Sequence, residues 1–251
     1  SPDPAANVWT NYVAVNHLKD QTDNNDHDTR EMVGSVGDGT DSWNSKHMNS
    51  ASHAGSGQET GKIGYGLEFA GKEHGGNDLL CLDDINADGD FDCSGSGSES
   101  SHFDTEQPNR TVEFWYWAQN VATSNAFKVM FDGSSKNDGQ SIYIYNSEIY
   151  AVNDRDANNH LAYVKDDTTQ REWHHVAFVT DGASTTNTGS GKIILYHDGV
   201  NVHEVAEDEN GNSGIQVDDN TDPTALGGIF GKIRDHDGNS LSGSGRFFDG
   251  I

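Results

Sequence analysis

The sequence predicts an all-β protein, a sandwich or barrel of many short strands, and three observations carry that expectation. Short runs rich in β-branched and aromatic residues follow one another between residues 111 and 206, at the spacing of strands in a sandwich or barrel. Asp-Gly dipeptides punctuate them, at Asp132-Gly133, Asp181-Gly182 and Asp198-Gly199. Long helical periodicity is absent, and 29 Gly against four Pro call for many tight turns.

In chain order, residues 1–7 read as a linker and residues 8–251 as one domain. Val8–Leu18 alternates well enough for a first strand. Residues 19–60 form a long Asp-, Asn-, Ser-, Gly- and His-rich stretch that Met32, Val33, Trp43 and Met48 can pin down. Ile63–Phe69 reads as the next strand, and residues 71–109 as an acidic, Gly/Ser-rich insertion. The clearer half follows: Thr111–Ala118, Ala126–Phe131, Gln140–Asn146, Glu148–Val152, Leu161–Lys165, Glu172–Thr180, Lys192–His197 and Val200–Ala206. Asp198-Gly199 lies between Ile193-Ile194-Leu195-Tyr196-His197 and Val200-Asn201-Val202, a strong two-residue hairpin signal.

Charge narrows the partners. Fifteen basic residues against 41 acidic ones leave a formal charge of −26, which argues against nucleic acid and anionic lipid. Most of this acid excess reads as a solubilising surface suited to a salty or calcium-rich medium. No run approaches the roughly 20 apolar residues of a membrane span, so membrane insertion is not expected. Ser1-Pro2-Asp3-Pro4 does not read as a signal peptide and looks like an excised start, so the chain reads as a piece of something longer.

Three stretches of the second half resemble the laminin-G-like jelly-roll domains of the concanavalin A-like superfamily. They are Thr111-Val112-Glu113-Phe114-Trp115-Tyr116-Trp117, Glu172-Trp173-His174-His175-Val176-Ala177-Phe178-Val179 and Leu195-Tyr196-His197-Asp198-Gly199-Val200. Gly61–Phe69 resembles a further family segment, with Ala70-Gly71 where an Asp-Gly turn is expected. The resemblance implies a two-sheet jelly roll and a framework role for His175, but no particular ligand. Family members usually close with one more strand after the last glycine turn. This chain reads Phe247-Phe248-Asp249-Gly250-Ile251 at that place. An unfilled strand position would leave an open sheet edge through which chains can self-associate.

The strongest local motif lies in the acidic insertion. From Asp84 the chain reads D-x-N-x-D-G-D-x-D, the first nine positions of an EF-hand-type or thrombospondin-type calcium loop. Asp84, Asn86 and Asp88 present alternating oxygens to one hard cation, Gly89 permits the sharp turn, Asp90 offers its carbonyl and Asp92 ligates directly or through water. The twelfth position is Gly95, so the usual bidentate Glu is absent. Cys81 and Cys93, the two cysteines of the chain, bracket the loop and are expected to form a disulfide. Asp23–Asp28, Asp154–Asn158 and Asp235–Asn239 are weaker acidic runs of the same chemistry.

Catalysis is not expected. Glycanases on this fold carry two carboxylates on alternate positions of a strand, whereas Glu113 is followed on its face by Trp115 and Trp117. H-E-x-x-H and G-x-S-x-G are absent from the sequence. His174 and His175 are neighbours on a strand and so point to opposite faces. The sequence therefore predicts a secreted, calcium-supported binding or adhesion module, with a glycan or another cell-surface ligand as partner. Trp43, Tyr143, Tyr145 and Tyr150 are the candidate aromatic contacts. A structural subunit of an extracellular filament or surface layer is the second expectation.

Overall fold

The computed structural model describes residues 14–15, 36–37, 48–50, 58–60, 62, 65–67, 69–70, 80–82, 108–122, 126–135, 138–155, 160–183, 191–208, 210–217, 224–229, 232–242 and 246–251. The described strands of the first half are short: β1 (Ala14–Val15), β2 (Val36–Gly37), β3 (Met48–Ser50), β4 (Gln58–Thr60), β5 (Tyr65–Leu67), β6 (Phe69–Ala70) and β7 (Leu80–Leu82). Long strands follow: β8 (Arg110–Trp117), β9 (Lys128–Ser135), β10 (Asp138–Tyr145), β11 (Glu148–Arg155), β12 (His160–Asp167), β13 (Trp173–Asp181), β14 (Lys192–His197) and β15 (Val200–Val205). The chain ends with β16 (Thr224–Leu226), β17 (Lys232–Arg234), β18 (Ser240–Ser242) and β19 (Asp249–Gly250).

Two antiparallel sheets form a sandwich. One has seven strands in the order β12-β11-β10-β9-β16-β7-β3, the other four in the order β15-β14-β13-β8. Period-2 alternation decides what lies between them. Tyr116, Val176, Phe178, Ile193 and Leu195 from the smaller sheet meet Phe131, Ile142, Ile144, Ile149, Ala151 and Val164 from the larger, all nearly free of solvent. Each such large apolar side chain contributes about 1.5–3 kcal/mol on burial. A bulge between Ile142 and Tyr143 slips the β9–β10 register by one residue, which lets Met130 as well as Phe131 join this core. At one side the sheets meet directly, where the Lys165 amide on β12 donates to His203 Nδ1 on β15.

The larger sheet is also covered on its outer face. Val129, Tyr143, Tyr150, Val152 and Leu161 pack there against Ile229, Ile233 and Leu241, the last two supplied by the β17–β18 hairpin. The seven-stranded sheet is thus apolar on both sides, which is why its strands carry apolar residues without strict alternation.

Strand positions from 111 to 206 follow the sequence expectation closely except at one dipeptide, and two further differences lie outside that range. Asp132-Gly133 is not a turn: both lie inside β9, with Asp132 buried and paired to Ser141 and Ala225. The stretches around Met48–Ser50 and Leu80–Leu82, expected as loop and insertion, contribute strands β3 and β7 to the larger sheet. At the C-terminus, β19 pairs with β6, and Ile251 exchanges both backbone hydrogen bonds with Trp117 (2.8 and 2.9 Å). The last residues therefore lie alongside the end of β8. The expected linker at 1–7 lies outside the described residues.

Candidate functional site

The four-stranded sheet carries two polar constellations, one on each face. On its inner face the apolar rows Phe178–Val176 and Leu195–Ile193 stop at one end of the sandwich and give way to Tyr116, His174 and His197. Register explains the grouping: Tyr116 pairs with His174 across β8 and β13, and His197 pairs with Val176 across β13 and β14. All three side chains are buried, and groups of this polarity are tolerated there only when their hydrogen bonds are met.

They are met in two connected chains. His197 Nδ1 donates to Asp166 Oδ2 (2.7 Å), and its Nε2 faces the Tyr116 hydroxyl (3.0 Å), which in turn bonds Thr168 Oγ1 (2.7 Å). His174 Nδ1 donates to Asp198 Oδ2 (2.8 Å), and its Nε2 lies 2.9 Å from Thr169 Oγ1. Thr169 gives its single hydroxyl hydrogen to Glu172 Oε2 (2.6 Å), so both nitrogens of His174 face acceptors. The two imidazole rings lie 5.0 Å apart. Burial pushes the Tyr116 phenol well above its ordinary value. Burial works against the charged form of Asp198, but the His174 hydrogen bond and the His175 amide outweigh it and hold the carboxyl below its ordinary value.

Asp198 has this position because of the hairpin turn. Asp198 and Gly199 both adopt positive φ (50° and 80°), the conformation a two-residue turn between twisted strands requires. The turn folds back on β13: the Asp198 amide donates to the His175 carbonyl, and Asp198 Oδ1 accepts from the His175 amide (both 2.8 Å). The ligand atoms of His174, His197 and Asp198 all lie within 4.8 Å of one another, the single such metal-capable group among the described residues.

On the outer face, Trp117 pairs with Trp173, Trp115 with His175, and Glu113 with Ala177. Trp115 is 39% exposed, unusual for so large an apolar side chain. Its ring lies 5.1 Å from the His175 ring, with Lys62 Nζ 5.6 Å from its centroid. His175 Nε2 is 3.7 Å from Glu113 Oε2, so indole, imidazole and carboxylate share one patch.

Alternation thus separates the two adjacent histidines as the sequence required, but the roles differ from expectation. His174, not His175, is the buried histidine tied into the framework, and His175 sits half-buried on the outer face. The tyrosine cluster is a second correction. Tyr143 and Tyr150 are buried under the β17–β18 hairpin and stack on each other (5.3 Å), and Tyr150 also stacks on His236 (4.1 Å). The half-buried Tyr145 stacks on Phe127 at 4.3 Å. With their faces taken by neighbours, Tyr143 and Tyr150 offer no platform to a ligand.

Asp84, Asn86, Asp88, Asp90 and Asp92 of the expected calcium loop lie outside the described residues, as do Cys93 and Trp43; Cys81 lies on β7. The run at Asp23–Asp28 lies outside them too. In Asp235–Asn239 the lead carboxylate serves its own turn, with Asp235 Oδ1 accepting from the Asp237 and Asn239 amides (3.0 and 2.7 Å). Asp154 is buried, 3.5 Å from Arg234 Nε.

No family model matches the chain, and no curated protein matches it. Solved structures do show similarity. The receptor binding domain of botulinum neurotoxin D aligns with 71% of this chain and 39% of its own, at 13% identity and a TM-score of 0.44. The binding domain of botulinum neurotoxin DC in complex with SialylT aligns over 71% and 38% at 11% identity, with a TM-score of 0.46. The same domain in complex with rat synaptotagmin II gives 71% and 38%, 10% identity and a TM-score of 0.46. The chain therefore spans well under half the length of the structures it resembles.

Proposed function

We propose that this chain is a laminin-G-like jelly-roll module that works outside the cell by binding, with glycans at a prokaryotic cell surface as its ligands. The observation that carries the reading is the exposed Trp115 ring on an open strand face, flanked by Glu113, His175 and Lys62. A sugar ring stacks its C–H face on an indole while its hydroxyls bond to carboxylate and imidazole groups beside it. The Asp84–Asp92 loop, bracketed by a Cys81–Cys93 disulfide, supports the module by binding calcium. The reading carries no hydrolytic role and is supported by Trp115 and Trp117, rather than a second carboxylate, at the positions that follow Glu113 on its face.

A glycan array screened with and without calcium tests this directly. Binding is expected only with calcium, and Trp115→Ala is expected to weaken it by about 2 kcal/mol or more, the scale of a central aromatic contact. An array with no calcium-dependent hit, or with hits indifferent to Trp115→Ala, overturns the reading.

One observation favours a second role as a subunit of an extracellular filament. Among the described strands β8 is an edge of the smaller sheet, engaged on its open side only through Ile251 at Trp117 and the Ala118–Gly250 bridge. Size-exclusion chromatography and electron microscopy of native material separate the two roles. Fibres that require the β8 edge support assembly, and a stable monomer at high concentration speaks against it.

A further inference from the structure

We propose that His174, His197 and Asp198 form a binding site for a borderline divalent transition ion of the zinc class, distinct from the calcium loop and from the outer-face patch. Three properties of the buried cluster lead there.

The first is convergence. His174 Nδ1 and Asp198 Oδ2 are 2.8 Å apart, and the three residues present ligand atoms within 4.8 Å of one another. Two ligands each about 2.1 Å from a tetrahedral ion lie roughly 3.4 Å apart, so this pair needs to open by only about half an ångström. In the absence of metal a hydrogen bridges the pair; a cation takes its place and releases that proton, as metal binding to such ligands does.

The second is the outer shell. A ligating histidine characteristically donates its other ring N–H to a carboxylate or carbonyl, which fixes the ring and raises its basicity. Both rings already have an acceptor on the far side, a carboxylate for His197 and a hydroxyl oxygen for His174. His197 Nδ1 donates to Asp166, and its Nε2, faced by the Tyr116 hydroxyl at 3.0 Å, turns to the ion when that hydroxyl keeps only its Thr168 bond; His174 Nε2 rests on Thr169, which is anchored to Glu172 and leaves Nδ1 for the ion.

The third is access combined with rigidity. Both histidines are buried, while the Asp198 side chain is half exposed at the hairpin tip and gives an ion its route from solvent. Two imidazoles and one carboxylate select a first-row ion such as zinc over calcium, which takes oxygen ligands. Three protein ligands leave a fourth position for water or a ligand oxygen. The chain's charge of −26 enriches cations around it.

The test uses the full chain with Co²⁺ as a spectroscopic probe for zinc, in excess Ca²⁺ to saturate any oxygen-only site. The expected result is intense visible absorption of four-coordinate cobalt, saturating at one equivalent and displaced by Zn²⁺. Asp198→Asn and His197→Gln are each expected to weaken binding at least about tenfold, and Asp166→Asn, which acts only through His197, by about 10- to 100-fold. Because His197 is buried, its variant can fail to fold. Imidazole ¹⁵N resonances of the unaltered chain supply the second measurement, and Zn²⁺ is expected to shift His174 Nδ1 and His197 Nε2. The proposal is overturned by weak six-coordinate absorption alone, by full binding in a folded Asp198→Asn protein, or by zinc-induced shifts confined to other histidines. None of these readouts involves a glycan, so the site stands or falls independently of the Trp115 patch.

Discussion

At the scale of single residues, Tyr116 is the joint between two strands' worth of polar groups. Its hydroxyl bonds both Thr168 Oγ1 and His197 Nε2, so Tyr116→Phe strips a buried imidazole and a buried threonine of a partner at one stroke. A loss of about 1–3 kcal/mol in urea unfolding is expected, the cost of leaving buried polar atoms unmet. How far such a residue was legible is instructive. Alternation in T-V-E-F-W-Y-W assigns Tyr116 to one face and Trp115 to the other, and the structure agrees. That Tyr116 would meet His197, 81 positions away, was not legible, because only the sheet order brings β8 and β14 to either side of β13. The same limit produced the misplaced tyrosine platform. The cover over Tyr143 and Tyr150 comes from the β17–β18 hairpin, whose three-residue strands leave almost no periodic signal.

At the scale of elements, the glycines divide by what surrounds them. Gly227 follows β16 with φ +81°, donates to the Met130 carbonyl and accepts from the Phe248 amide, and a Cβ there would run into the Phe69 ring. Gly199 has nearly the same φ (+80°) but open space around it. Gly199→Ala is therefore expected to cost only the backbone strain, about 1–2 kcal/mol. Gly227→Ala adds displacement of a buried ring and is expected to cost more, and paired thermal melts of the two variants check the order. Sequence reading found the Gly199 turn because its signal is local. It misread Asp132-Gly133, where the same dipeptide occurs inside β9: pairing of Asp132 with strands on both sides overrides the turn preference.

At the scale of the whole molecule, three buried phenols set an alkaline limit. Burial raises the values of Tyr116, Tyr143 and Tyr150 above the ordinary one. The unfolded chain releases these protons near pH 10, while the folded chain holds them to higher pH. Stability from this source is complete below about pH 10 and declines as pH rises past it, because the unfolded state then binds fewer protons. Denaturation midpoints measured from pH 8 to 12 are expected to be level at first and then to fall; a flat profile to pH 12 would show that these rings are solvated. The all-β character of the molecule was legible in repeated local patterns between residues 111 and 206, whereas its two-sheet arrangement was what the family resemblance implied. The double covering of the larger sheet was not legible, because it depends on which distant segments lie over it.

The clasp between Asp198 and His175 has a kinetic consequence as well. Hairpin tips ordinarily open and close freely, and their amide hydrogens exchange with solvent in the time it takes a loop to fray. Here the tip amide of Asp198 is locked onto the His175 carbonyl and the His175 amide onto the Asp198 side chain. In deuterated buffer these two amides are expected to be retained as long as those in the middle of β13, well after Gly199 has exchanged. A turn that opens only when its sheet opens would be a hard place for a protease to begin.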